Sequence, residues 1–484
     1  MKIMKNMKII LYAFLSFVLT TGCTEDYEKL NESPNRSTSV PAHLLLGYTQ
    51  RSFVNTIYAA QIGGDMGACW AQQWSKVQYN NEERYMPRRG NIDRVWENIY
   101  TLTISEAKAM YDLAVLEENT NLQGIALVMQ AIGFQTLVEL YGPVAFVEAI
   151  DRENLKPAYD DESVVFEAVI QMLTDAVTLL SSGSGEVIAS SDLFYAGNTS
   201  QWMKFANTLK FRALMRISST RSVGAELQAI VNSGIIFQEN ADNAQLSYLD
   251  AAPDGNPIWE TIVFASRPEY KVSSVLVDIL SNLNDPRLEV YAFPAESDGV
   301  IRGKPPGFGL QTTLPNEALG YTYKNISGLG SFFLNPELPG IVMSYSQLNF
   351  LMAEAANKEY ISGGLVAVNE YYNQGINSSF ETYGLTSAAS YLAQGGISIT
   401  SQSDGANKIA TQQWIALFGQ GLETWTEWRR TKLPVLTPAA EGDIAQIPSR
   451  FYYSTVGPSL NSDNYNAASS SIGGDLLTSP LFWQ

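Results

Sequence analysis

Between Gln123 and Tyr141 apolar residues occupy nearly every side of a helical wheel: Ile125, Val128, Met129, Ile132 and Phe134 are interrupted mainly by glutamines, and the run stops at Gly142-Pro143. A helix without a polar face has to be enclosed by other elements, and proline ends it. The chain is therefore committed to a helical interior. Its partners follow the same logic. Phe166, Val169, Ile170, Leu173, Val177 and Leu180 recur at three- and four-residue steps after Asp160-Asp161 and before Gly183, which predicts an amphipathic helix with one face on the core. Further helices are predicted over 41–60, 91–118, 200–218, 272–283, 344–361, 364–380 and 407–431.

Paired antiparallel helices are thus the recurring unit, and the expected fold class is all-α: a single large domain, residues 41–484, of tetratricopeptide-like helical hairpins with long irregular loops. The repeat period is irregular. Strand signals are scarce, whereas 236–270, 294–341 and 432–484 are rich in Gly, Pro, Asn and aromatics and read as long ordered loops, where sites tend to lie. With 45% hydrophobic residues the chain can build a large core.

The N-terminus reads as a lipoprotein leader. Lys2, Lys5 and Lys8 precede an apolar run at 9–19 too short to span a bilayer, and small residues lead to Cys23. Gly22-Cys23 resembles the bacterial lipobox, with Thr20 where leucine is usual, so residues 1–22 are expected to be a signal peptide, Cys23 the lipidated residue and 23–40 a tether. Acyl chains at about 0.8 kcal/mol per buried methylene would hold such a chain at a membrane. Glu25-Asp26 resemble an acidic tag that directs lipoproteins to the outer face of the outer membrane. Loss of residues 1–22 with their three lysines takes the net charge from −18 to −21. Such a surface repels nucleic acid. With Cys23 acylated, Cys69 remains alone and is expected to be a buried, inert thiol.

Several chemistries are poorly supported. The chain has a single histidine, His43, so catalytic triads and multi-histidine metal sites are excluded unless built around it. Phosphate-loop, dinucleotide and zinc-protease motifs are absent. No cofactor is implied; the acidic loop 250–260 could hold calcium, but its spacing fits no standard calcium loop. A glycosidase would need only two carboxylates, so catalysis is disfavoured without being excluded.

At Trp202-Met-Lys-Phe-Ala-Asn-Thr-Leu-Lys-Phe-Arg-Ala-Leu-Met-Arg-Ile-Ser218 the sequence resembles the SusD/RagB family of surface nutrient-binding lipoproteins. The segments 137–146 (Leu-Val-Glu-Leu-Tyr-Gly-Pro-Val-Ala-Phe), Asn284-Asp-Pro-Arg-Leu288, 344–356 with its Ala-Glu-Ala, 412–430 with three tryptophans, and Ile447-Pro-Ser-Arg450 follow in the family's order. The resemblance implies no catalysis. It implies a lid over a SusC-like TonB-dependent transporter that captures an oligosaccharide, with peptide capture as the alternative and a glycosidase a more distant one. The motifs themselves read as structural, with Arg212 and Arg216 expected to meet buried carboxylates among Glu354, Asp285 and Glu423.

Sugar capture needs exposed aromatic rings edged by polar groups. The candidate ligand residues are Trp70, Trp74, Gln78 and Tyr79, with Gln72, Gln73 and Asn80 bordering them and Trp70 and Trp74 sharing one face if helical. Trp259, Arg267 and Tyr270 in a second loop, and Tyr323 in a third cluster with Tyr321, Asn325, Phe332 and Phe333, complete the set. Trp96, Trp202, Trp414, Trp425 and Trp428 are expected in the core.

Overall fold

Helix α1 (His43–Tyr58) is followed by α2 (Ser105–Leu116), α3 (Thr120–Tyr141), α4 (Glu162–Ser181) and α5 (Thr199–Arg216), then by α6 (Tyr345–Asn357), α7 (Gly364–Thr382), α8 (Gln402–Ala416) and α9 (Gly421–Thr431). The computed structural model describes residues 40–151, 153–308 and 320–484, and residues 42–484 form one compact unit. The leader, Cys23 and the tether up to residue 39 lie outside the described residues.

The all-round apolar helix is α3, and it is buried along almost its whole length. It is enclosed by α2 and α4, and α4 packs in turn against α5. The α3–α4 pair is antiparallel: Asn121 at the start of α3 takes Ser184 O as acceptor for its backbone N–H at 3.2 Å, just past the end of α4. The pair α6–α7 repeats the arrangement, Ser346 Oγ donating to Gly375 O at 2.7 Å. Helical hairpins therefore form the scaffold, as the periodicity predicts. Trp202, Trp414, Trp425 and Trp428 are buried and Trp96 is partly so.

Two predicted helices are interrupted. The 91–118 segment passes through a wide π-helical turn at Ile99–Ile104, and 407–431 is split between α8 and α9 at Gly419, whose φ of +89° a side chain would resist. The start of α9 lies backbone-on-backbone against a second π-helical segment, Ala60–Ala68: a Cβ on Gly421 would sit 1.9 Å from Gly63 O. The 432–484 region also carries short helices at Val456–Leu460 and Ser462–Ser471.

The family arginines are interior. Arg216 bridges three carboxylates, with Nε to Glu139 at 2.9 Å, Nη2 to Glu423 at 2.6 Å, and Nη1 to Glu427. Arg212 lies 3.7 Å from Glu423. Of the three expected partners only Glu423 serves these arginines. Glu354 pairs with Arg430 and Lys358, and Asp285 with Arg287, because the turn at 284–287 folds that carboxylate back on its own arginine. Burial raises the Glu354 pKa, but Arg430 and Lys358 outweigh it and bring it to about 2.

Candidate functional site

Two short strands make the pedestal of the site. β1 (Trp74–Lys76) pairs antiparallel with a strand at Tyr270–Val272, in register Trp74↔Val272 and Lys76↔Tyr270, and all six residues are buried. Elsewhere Ala244–Leu246 pairs with Gly340–Met343; in chain order these strands are β2 (Ala244–Leu246), β3 (Tyr270–Val272) and β4 (Gly340–Met343). Beneath the β1–β3 ribbon lie buried ion pairs: Lys76 Nζ to Asp65 Oδ1 at 2.8 Å, and Lys304 Nζ to Glu83 Oε1 at 3.3 Å. Glu83 also accepts from the backbone N–H of Lys76 at 3.0 Å and of Gly307 at 2.9 Å. Removing one member would strand an unpaired buried charge, so the ribbon and the 301–308 loop are held together.

Immediately beyond β1 the chain surfaces. Val77 still donates to Glu269 O at 3.0 Å, and then Gln78 and Tyr79 leave the ribbon, with Tyr79 54% exposed at φ +54°. A bulky side chain in the left-handed region costs about 1–2 kcal/mol. Such strain persists where the surroundings impose it, and it clusters at ligand-binding positions. Arg267, on the strand-entry side of β3, places its guanidinium 5.3 Å from the Tyr79 ring centroid and donates from Nε to the buried Glu269 at 2.8 Å. Tyr323 is 40% exposed; its hydroxyl donates to Gln78 Oε1, and its carbonyl accepts from Lys271 Nζ at 2.8 Å. Burial lowers the pKa of that Lys271 ammonium. The Tyr321 and Phe308 rings meet at 5.8 Å.

Four of the eight sequence-selected ligand residues, Gln78, Tyr79, Arg267 and Tyr323, are thus brought together. Three are not surface platforms, and their assignment is corrected. Trp70 is fully buried, edge-on to Trp425 at 4.8 Å, and donates from Nε1 to Glu82 O at 2.8 Å. Trp74 is buried against Tyr270 at 6.0 Å and Phe418 at 6.3 Å. Tyr270 is buried with it, Lys76 lying over its ring at 4.8 Å. The assumed helix ends at Trp70, and Gln72 turns the chain with φ +56°, so Trp70 and Trp74 share no helical face. Gln72 and Gln73 are not rim groups either: both are buried, donating to Thr437 O and Trp414 O. Trp259 is half-buried, its ring paired with Phe264 at 5.9 Å. Lys271 belongs to this face and was missed; the Tyr-Lys-Val alternation of β3 was its signal.

Two half-exposed tyrosine rings flanked by a carboxamide and a guanidinium can stack on a flat, partly apolar face and hydrogen-bond its polar edge. Glu269 is engaged by Arg267 in an ion pair. Cys69 is buried, and burial raises its thiol pKa, as expected of an inert residue.

Comparison with known proteins shows the family and the fold. The SusD-like family described as "Starch-binding associating with outer membrane" matches residues 34–454. A chitin-binding protein of known structure is 24% identical, with a TM-score of 0.79 over 91% of this chain and 99% of its own. A chitin-binding SusD homologue from Flavobacterium johnsoniae is 21% identical, with a TM-score of 0.78 over 91% and 98%. A SusD-like protein from Bacteroides thetaiotaomicron is 25% identical, with a TM-score of 0.78 over 92% and 98%. No curated protein matches the sequence.

Proposed function

The chain belongs to the SusD-like family of starch-binding, outer-membrane-associated proteins, and from that premise we propose that it captures a glycan on the Tyr79–Tyr323–Arg267 face and delivers it to a SusC-like TonB-dependent transporter. Acylation at Cys23 would tether it to the outer membrane, facing the cell exterior. The observation that carries the reading is Tyr79, an exposed ring held in a strained backbone conformation on a rigid buried pedestal. A group that must meet a ligand in one orientation gains from such support. The role asked of the chain is capture and release, not bond cleavage.

Peptide capture is the second reading, favoured by one feature: Arg267 could meet a carboxylate as well as a sugar hydroxyl. The test is electrophoresis of the full chain through gels loaded with starch, chitin oligosaccharides or other polysaccharides, with peptide pools assayed by calorimetry. Retardation by one glycan, relieved by Tyr323→Ala, supports the proposal. Heat with peptides and none with any glycan overturns it in favour of peptide uptake.

A further inference from the structure

A second recess lies apart from this face and shares no lining residue with it. It is a cleft of about 250 Å³ between the end of α1, the β2–β4 pair, the end of α7 and the turn joining α8 to α9. One wall is aromatic: Phe332, Phe333, Phe418 and Tyr383 pack together, Phe332 against Tyr383 at 5.5 Å. The other is made of carboxamides, Asn240, Asn243, Gln245 and Gln420, with Glu381 at the mouth. Among the described residues no arginine or lysine lines it, which disfavours anionic ligands.

The polar groups are only partly used. Asn240 Nδ2 donates to Ser378 O at 3.0 Å and to Glu381 Oε2 at 2.9 Å, leaving its buried Oδ1 without a partner among the described residues. Asn243 Oδ1 accepts from the Tyr345 backbone N–H at 2.6 Å. Gln420 is 93% buried, and its Oε1 has no partner among the described residues. It stands with Tyr58 and Ile341 in the wall shared with a smaller inner void of about 50 Å³, where Arg212 Nε is likewise unpartnered. Tyr58 closes that wall by pairing with the β4 backbone, accepting from Ile341 N at 2.8 Å and donating to Ile341 O at 3.0 Å. Unpaired buried acceptors cost about 1–3 kcal/mol each and persist where something satisfies them. The inner void has room for ordered water. The outer cleft, just under the roughly 300–1,000 Å³ of pockets that take drug-sized ligands, has room for one small ring.

We propose that this cleft is a second binding site, which takes a single neutral polyhydroxylated ring, a terminal or free sugar unit, stacked on Phe332 and Tyr383 and hydrogen-bonded by Asn240, Gln245, Gln420 and Glu381. The ligand class rests on the glycan reading above; the location does not. Hydroxyls suit the lining because each can donate to an orphaned carboxamide oxygen and accept from an amide N–H.

The test is saturation-transfer NMR of the full chain with glucose and with N-acetylglucosamine as probes. Transfer is expected in the unaltered chain, is expected to persist in the Tyr79→Gly/Tyr323→Ala double variant, and is expected to fall at least tenfold when Gln245→Trp, whose bulk fills the cleft, is added to that double variant. Glu381→Gln changes an exposed group and keeps the fold, so it decides the matter if Gln245→Trp does not fold; a several-fold weaker affinity is expected. Transfer abolished by the double variant, unchanged in Glu381→Gln, or absent with both sugars overturns the second site. Failure of the glycan reading shows elsewhere, as polysaccharide retardation indifferent to Tyr79 and Tyr323.

Discussion

Replacing Tyr79 by glycine separates binding from stability. Aromatic side chains present roughly 150–250 Å², so a ring 54% exposed leaves on the order of 100 Å² open. A sugar face covering about half of it, at about 25 cal/mol per Å², contributes roughly 1–1.5 kcal/mol, or close to tenfold in affinity. On the stability side, glycine removes the roughly 1–2 kcal/mol cost of a left-handed tyrosine and adds roughly 0.5–1 kcal/mol of chain entropy. The two nearly cancel. Tyr79→Gly is therefore expected to lose about tenfold in glycan affinity by calorimetry while urea unfolding moves by less than about 1 kcal/mol. Trp74→Ala should do the reverse, losing about 3–5 kcal/mol of stability through its core cavity. The reasoning is refuted if Tyr79→Gly binds normally, or if a folded Trp74→Ala binds ten times more weakly.

Arg216→Met leaves Glu139, Glu423 and Glu427 buried without their shared cation, and should cost about 3–5 kcal/mol in chemical denaturation. Burial raises the Glu162 pKa from 4.5 to about 8, against the Phe482 amide and the charges of Arg450 and Arg429. The native state then holds a proton that the unfolded chain releases, so this group's contribution is complete below pH 4.5 and falls as pH rises to about 8. Glu162→Gln should accordingly add up to about 3 kcal/mol at pH 7, at about 1.4 kcal/mol per unit, and almost nothing at pH 4, as read by melts at both values. Gly421→Ala would press a Cβ within 1.9 Å of Gly63 O, and a lowered Tm equivalent to about 1–3 kcal/mol is expected by calorimetry.

The scaffold was legible because burial writes a period into the sequence. The α3 run and the Phe166–Leu180 stripe had to face apolar partners, and both do. The breaks were harder to see. Gly419 and Gly421 stand in an otherwise helical stretch, and the positive φ of Gly419 follows from how α8 and α9 must diverge around the 60–68 segment, which is tertiary information. The site was half legible for a related reason. Aromatics amid amides mark either a ligand face or a core, and composition does not separate them. Trp74 and Tyr79 are five residues apart, yet β1 buries the first against Tyr270, more than 190 residues away in sequence, while the strand's end releases the second. Glu354 and Asp285 were sound guesses for buried ion pairs but went to other arginines, because pairing depends on which helices meet.

The most direct test of glycan capture is a crystal structure of the full chain soaked with the oligosaccharide that retards it. The account predicts a sugar ring over Tyr79 and Tyr323, with Gln78 or Arg267 bonded to its hydroxyls. A glycan seated elsewhere, with that face bare, would contradict it.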